Sequence, residues 1–472
     1  RAALAESTAY LFVPLVLWGA WATLHRPRLA NVLGLAFAYA ALLYTHPVMG
    51  LLLSLILVAF IAALALARLN DQQPWRQLSR GSILPLLGHL GHILAPTALG
   101  LILGLGLSAH FLLPAMTENR FVRVDQWYGG RYAWGSDFVE FFQLFSPRWG
   151  FGTSIPGPND DLSFQLGIVP FVLSLFALIP LFRPRSKNTG SETAGSQAAL
   201  VRRLLAFFAG LTVVVVFLML DLSAPLWQIL PLVQLAQFPW RLLSIVVVST
   251  SILCGLAAVR VKEPPAFIDV PSLALAIILV LGSLPYMRAQ LSQQETSLAG
   301  LMRFQQSADE MTGSTAWVRQ IPDWSPLADY YIAGEPVTSK VDYSFLYGQA
   351  GKAEARTVEL GTQHELVEYF ADRPVLLSFN TFYYPGWKAY LLDLDTEALI
   401  EELPISVRGE LGLMTVRLPA GRGRVLLQFE ATPIRQLASA FTLTSLLFAG
   451  LLLAVGILPP TGLRRHQGHR GR

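Results

Sequence analysis

Six side chains stand at the edges of apolar runs, where an acid, an imidazole, an amide or a cation could meet a polar ligand: Glu6, His46, Glu118, Arg131, Gln237 and Arg241. Arg241 enters an apolar run directly after Pro239 and Trp240. A guanidinium placed there can grip a phosphate or pyrophosphate through paired, charge-assisted hydrogen bonds. It can equally snorkel to lipid head groups. Gln237, four residues earlier, is able to bond a sugar hydroxyl or to cap a helix. Glu6 lies near the start of the first apolar run, where a carboxylate either lines a cavity or pairs with Arg1. His46 precedes Pro47 in a tight connection between two apolar runs, a position that suits a turn as well as a ligand contact. Glu118 follows another apolar run, with Arg120 and Arg131 in the same polar stretch. A loop ion pair is the plainer account of those three.

Other chemistries are poorly supplied. The eight histidines are scattered, and His89 with His92 is the one close pair inside the body, too few ligands to close a zinc site. The single cysteine, Cys254, rules out an internal disulfide framework. No P-loop, Rossmann glycine pattern or G-x-S-x-G elbow occurs. Asp393 and Asp395 have the spacing of a D-x-D metal motif, but they follow an aromatic strand in what reads as a solvated surface turn.

The elements that must carry these residues are mostly oily helices. Of 472 residues, 53% are hydrophobic and only 14% charged, against about 25% charged in soluble domains. The charge is missing from stretches of roughly 20 residues, the length of a helical membrane crossing. Nine such segments emerge: 7–24, 29–45, 47–67, 93–113, 164–182, 203–220, 241–259, 267–287 and 436–458. Residues 29–67 are broken at Thr45-His46-Pro47. Residues 81–92 read as an interfacial lead-in, and 225–240, with Pro225, Pro231 and Pro239, as a re-entrant or interfacial segment. Gly100 and Gly104 form a small-xxx-small pair suited to close helix packing.

Basic residues follow alternate segments: Arg26 and Arg28; Arg68, Arg76 and Arg80; Arg183, Arg185, Lys187, Arg202 and Arg203; Arg260 and Lys262; then Arg464, Arg465, Arg470 and Arg472. With nine crossings all these clusters share one side, which the positive-inside rule makes cytoplasmic. The formal charge of +4 is thus an orientation signal, not a nucleic-acid footprint. The C-terminus is expected in the cytoplasm, and residues 114–163, 221–240 and 288–435 outside. The chain begins with Arg1 and no leader precedes the first run, which reads as a truncated start lacking an odd number of upstream helices.

Two outer stretches are bulky. Residues 114–163 are rich in aromatics and charge, with Ser136 expected to cap a short helix bearing Phe138, Phe141, Phe142 and Phe145. That loop reads either as an aromatic belt or as the wall of a cavity for a lipid-linked polar head group. Residues 288–435 carry strand-like runs, including Val375–Phe379 and Val425–Phe429, and Leu418–Arg424 reads as the turn between two strands. The expected fold is therefore a polytopic α-helical membrane protein of about nine spans with an inserted extracytoplasmic β-rich, sandwich-like domain. Its parts are a multi-span region at 1–287 with the outer loop 114–163, the β-rich domain at 288–435, and a final helix with basic tail at 436–472.

A series of short motifs adds a resemblance over nearly the whole chain. Arg1-Ala-Ala-Leu-Ala-Glu6 with Pro14, Leu113-Pro114-Ala115 with Glu118, Gln237-Phe238-Pro239-Trp240-Arg241, Thr312-Gly313-Ser314 with Pro322 and Trp324, and Tyr384-Pro385-Gly386-Trp387-Lys388-Ala389-Tyr390 occur in order. This series resembles the bacterial membrane proteins labelled 6-pyruvoyl-tetrahydropterin synthase-related. It is also similar to the C-type integral membrane glycosyltransferases (GT-C) and the YfhO-like proteins. The pterin label itself conflicts with the scattered histidines. The glycosyltransferase resemblance implies a bacterial plasma-membrane enzyme of the cell envelope. It would move a sugar from a polyprenyl-phosphate donor to an envelope glycan or glycolipid acceptor at the outer face. It also implies a catalytic carboxylate in a first outer loop, upstream of residue 1, where a divalent metal would bind if one is used. Membrane lipid is then a partner and nucleic acid is not. Arg241 would steady the leaving phosphate. The competing expectation is a non-catalytic scaffold or lipid- and glycan-handling protein with a glycan-binding β-domain. A transporter ranks behind both, because the spans show no inverted halves and few intramembrane charges.

Overall fold

The computed structural model describes residues 4–72, 84–123, 134–148, 155, 159–160, 162–182, 192–234, 236–258, 270–286, 297–305 and 313–457. The chain divides into a helical unit, Arg1–Leu112, Ala133–Gln290 and Ser439–Arg472, and a β unit, Leu113–Tyr132 and Leu291–Ala438. The start of the aromatic loop, kept with the apolar region in the sequence reading, thus groups with the strands.

The helical unit contains α1 (Leu4–His25), α2 (Leu29–Thr45), α3 (Pro47–Gln72), α4 (Leu84–Leu107), the start of α5 (Ala109–Thr117 in full), α6 (Ile168–Ala177), α7 (Ile179–Phe182) and α8 (Glu192–Met219). The short α9 (Ala224–Ile229) and α10 (Pro231–Gln234) precede α11 (Leu243–Ala258) and α12 (Val270–Ser283). The β unit adds α13 (Leu298–Gln305), α14 (Pro326–Ala333) and α15 (Tyr343–Tyr347), and α16 (Pro433–Ile457) runs on into the helical unit. Six helical stretches are long and apolar enough to cross a membrane: Leu4–His25, Pro47–Asp71, Leu86–Leu107, Ala198–Met219, Pro239–Leu256 and Pro433–Val455. Leu29–Thr45, Ile168–Phe182 and Leu273–Ser283 are apolar but shorter. Each of the nine expected segments therefore overlaps helix, 93–113 and 164–182 each divided between two, while six helical stretches reach crossing length among the described residues.

Two local expectations are corrected. Residues 84–92 do not form a separate lead-in, because α4 is continuous from Leu84 to Leu107. Pro85 sits in its first turn, where a missing N–H costs nothing, and no other proline stands before Pro96. Nor do the loop phenylalanines share one helix capped by Ser136. Two 3-10 turns, Trp134–Ser136 and Phe141–Leu144, flank an extended stretch in which Val139 bridges Leu220. Gln143 accounts for the break: its amide oxygen accepts from the Glu140 backbone at 2.7 Å while its nitrogen donates to Leu162 O at 2.8 Å. Phe138 packs edge-on against Trp134 and the fully buried Trp227.

Small residues set the closest helix contacts. A Cβ on Gly104 would lie 2.9 Å from Ala36 O, and one on Gly100 would lie 3.0 Å from Val32 O. The Gly100/Gly104 pair thus seats α4 directly on the α2 backbone, as its spacing suggests. Interhelical hydroxyl pairs, Thr23 with Thr97 at 2.8 Å and Tyr39 with Ser54 at 2.7 Å, tie α1 to α4 and α2 to α3.

The β unit is a two-sheet sandwich. One sheet has the order β1 (Ala353–Leu360), β2 (His364–Ala371), β8 (Gly421–Phe429), β4 (Trp387–Leu392), β5 (Leu399–Leu403). The other has the order β3 (Val375–Phe382), β7 (Leu413–Leu418), β6 (Ile405–Arg408). All described pairings are antiparallel. Val367, Tyr369, Ala389, Leu391, Val425 and Leu427 of the larger sheet share one core with Leu377, Phe379, Met414 and Val416 of the smaller. Alternating side chains on both sheets supply that core, as a period of two requires. A turn does join two strands within 418–424, but it is only residues 419–420, since β8 starts at Gly421 rather than Arg424, and the two strands do not pair. β7 pairs with β3 and β6, whereas β8 pairs with β2 and β4, so the chain switches sheets there.

Candidate functional site

At one end of the helical unit, the first turns of α1, the α2–α3 connection and the segment 236–244 bring four of the six candidate residues together. Arg241 is held before it meets any ligand. Its Nη1 donates to Ala236 O at 3.2 Å and to Gln237 Oε1. Its guanidinium lies over the Phe238 ring at 4.8 Å and near Trp240 at 5.9 Å. Trp240 in turn stacks between Phe238 and Phe164. Pro239 opens the 3-10 turn that carries Arg241 into α11, and the Arg241 N–H closes on Phe238 O at 3.0 Å. Gln237 has a φ of 64°, the left-handed region that non-glycine residues enter at a cost. Such strain persists where surrounding structure fixes it, here to aim the amide at Arg241.

His46 separates α2 from α3 and accepts the Met49 N–H on Nδ1 at 3.0 Å, which leaves Nε2 to carry the ring proton. Burial lowers its pKa below the ordinary 6.5, Glu6 pulls it back up, and Arg241 pushes it down again. Both charges therefore act on the imidazole. Tyr10, one helical turn beyond Glu6, feels the Glu6 charge and hydrogen-bonds Ser244. Ser244 donates to Arg241 O at 2.7 Å. Glu6, Tyr10, His46, Gln237 and Arg241 are all half-buried, so each is anchored yet reachable. A cation, an imidazole N–H, a phenol and a carboxylate on a rigid frame can bind an anionic oxygen and exchange a proton beside it.

The other end of the same unit is built differently. Arg203, in the first half of α8, makes two 2.6 Å bonds to Asp71 and one of 3.5 Å to Ala67 O. Helix α3 spans 26 residues between these two ends, or about 39 Å at 1.5 Å per residue.

Glu118 belongs elsewhere. It is 5% exposed within the β unit. Arg435 reaches its Oε2 from Nε at 3.1 Å and Nη2 at 2.8 Å, Tyr384 donates to the same oxygen at 3.3 Å, and Thr432 donates to Oε1 at 2.7 Å. Arg435 also lies over Tyr384 and Phe429. With both oxygens taken, Glu118 is a buried clamp rather than a group waiting for a ligand. Arg120 stacks on Phe121, and Arg123 donates to Val318 O at 3.1 Å. Arg131 lies outside the described residues.

The Tyr384–Tyr390 motif is architectural in the same way. Gly386 has a φ of 117°, and a Cβ there would come within 2.6 Å of Glu430 O. Only glycine lets the chain turn into β4 beside β8. Asp393 forms the surface turn expected, its Oδ1 accepting from Thr396 N at 2.9 Å and from Asp395 N at 3.2 Å. Those bonds, led by the Thr396 backbone, hold its carboxyl below the usual range.

Tyr10 and Ser244 were not singled out in the sequence. Tyr10 could have been, since it lies four residues from Glu6 on a helix face. Among the described residues no group of three or more His, Cys, Asp or Glu is placed to hold a metal ion. Comparison of the chain with family models, curated proteins and solved structures gives no match.

Proposed function

We propose that this chain is a multi-pass plasma-membrane protein whose helical unit binds the phosphate of a polyprenyl-phosphate-linked sugar at the outer face. On this reading it acts as a GT-C-like glycosyltransferase on an envelope glycan or glycolipid. One observation carries the reading: Glu6, His46, Gln237 and Arg241 share one end of the helical unit. Arg203 and Asp71 mark the other end, with Arg68 of α3 and Arg202 of α8 near them in the chain. By the positive-inside rule the arginine-rich end is cytoplasmic, which puts the cluster outside. Apolar surface supports membrane residence. Only 11% of the Pro433–Val455 window and 17% of Ala198–Met219 are buried within the chain, and lipid would cover the rest.

In the reaction, an acceptor hydroxyl gives its proton to a carboxylate base and bonds the anomeric carbon while the bond to phosphate breaks. Arg241 takes the leaving phosphate's oxygens, with Gln237 fixing its angle. The His46 Nε2–H offers a second donor to the developing charge. The test is incubation of the purified protein with radiolabelled polyprenyl-phosphate sugars and an envelope fraction. Transfer of label is expected, falling about a hundredfold or more in Arg241→Ala, as for loss of one charge-stabilising group. No transfer, together with Arg241→Ala cells that behave as wild type, would overturn the assignment.

A further inference from the structure

The β unit holds a polar cleft of about 320 Å³, within the size range of small-molecule sites. Tyr330 of α14, Tyr343 of α15, Ser339, Arg356, Thr357 and Asn380 line it. Behind its wall sits Glu365, 1% exposed on the core-facing side of β2, where the sequence alternation calls for an apolar residue. Its Oε1 lies 3.0 Å from Ser339 Oγ, 3.0 Å from Lys340 N and 2.8 Å from Thr357 Oγ1. Its Oε2 is buried with no hydrogen-bond partner among the described residues. A core acid with one open oxygen is costly and calls for a reason. Here it fixes the hydroxyls of Ser339 and Thr357, which are themselves 2.7 Å apart and both line the cleft. Ser339 Oγ also accepts from Val341 N at 3.0 Å and from the Thr357 hydroxyl, so the lone pairs left toward the cleft are those of Thr357.

The backbone is adapted at the same place. The β1–β2 register shifts between Thr357 and Glu359, the kind of bulge that re-aims side chains beside sites. The two charged lining groups differ in availability. Asp342 bonds Arg408 at 2.7 Å, Ser344 Oγ at 2.6 Å and Phe345 N at 3.0 Å. Arg356 has no ion-pair partner among the described residues. Glu368, opposite it in register, is 3.6 Å from Arg424 instead.

We infer that this cleft binds a saccharide bearing a carboxylate, with Arg356 taking the carboxylate. The fixed Thr357 hydroxyl and the Asn380 amide pair with sugar hydroxyls, and Tyr330 and Tyr343 pack on the sugar C–H surface. The site is separate from the Arg241 cluster and does not depend on the transferase reading. The test is calorimetric titration of the full chain in detergent with hexamers of glucuronate, galacturonate and mannuronate, and with a neutral glucose hexamer. At least one uronate hexamer is expected to bind saturably and at least tenfold more tightly than the neutral one. Arg356→Gln should erase that preference, and Tyr330→Ala should weaken binding tenfold or more. Ile400→Ala, exposed on β5 outside the cleft lining, should bind as wild type. Arg356 and Tyr330 are both exposed, so the variants are expected to unfold at the wild-type midpoint. No saturable binding, equal binding of acidic and neutral hexamers, or wild-type affinity in Arg356→Gln and Tyr330→Ala would each overturn the assignment.

Discussion

Single residues at the Arg241 cluster report on one another through charge. His46 should titrate below 6.5 in an NMR experiment, because burial and Arg241 disfavour its protonated form while Glu6 only partly compensates. Glu6→Gln should lower that midpoint further, and Arg241→Gln should raise it. Unchanged midpoints in both variants would separate the three residues and remove the cluster. A depressed histidine pKa also means the unfolded chain binds more protons near 6.5. The His46 contribution to stability is therefore present above 6.5 and is lost as pH falls through the folded value. Glu118 makes a different kind of claim. Removing one partner of a buried pair strands the other charge, so Glu118→Ala should cost the β unit about 3–5 kcal/mol in denaturant unfolding. A double Glu118→Ala, Arg435→Ala variant should cost less than the sum of the singles. Glu6, His46, Gln237 and Arg241 were legible in the sequence because polar residues stand out at the ends of apolar runs. The Glu118 clamp was not, since Arg435 lies 317 positions away and nothing local announces it.

At the scale of elements, the helices were the most readable part. Long apolar runs leave few alternatives, and Pro47 divides α2 from α3 where its ring forbids continuation. Helix ends were less readable: α4 extends back to Leu84 because Pro85 suits a first turn. The strands were found by their alternation, but not their partners. A turn between two strands does not say whether they pair, and only the core decides that β7 and β8 face each other from different sheets. Glycine contacts give a paired prediction on α2 and α4. Gly34 has nothing within 4 Å of a built Cβ, so Gly34→Ala should stabilise by about 0.5–1 kcal/mol. Gly104→Ala would press a methyl against Ala36 O and should destabilise by about 1–3 kcal/mol. Thermal unfolding in one detergent compares the two, and equal shifts would refute the close α2–α4 approach.

At the scale of the whole molecule, orientation is the testable matter. The native cysteine, Cys254, is buried, so labelling can be directed by new ones. With the positive-inside assignment, Glu397→Cys in the β4–β5 turn should react with a membrane-impermeant maleimide on intact cells. Asn70→Cys, at the far end of α3, should react only after lysis. The reverse pattern would place both the Arg241 cluster and the saccharide cleft in the cytoplasm. The order of strands carries a further consequence for biosynthesis. β8, the last strand of the sandwich to leave the ribosome, sits in the middle of the larger sheet, with His364 opposite Gln428 and Trp387 opposite Phe429. Until it arrives, β2 and β4 lack their common neighbour and the apolar faces of both sheets stay open. The sandwich therefore closes late and all at once, and a nascent chain halted before Gly421 would be a client for chaperones and proteases rather than a partly working protein.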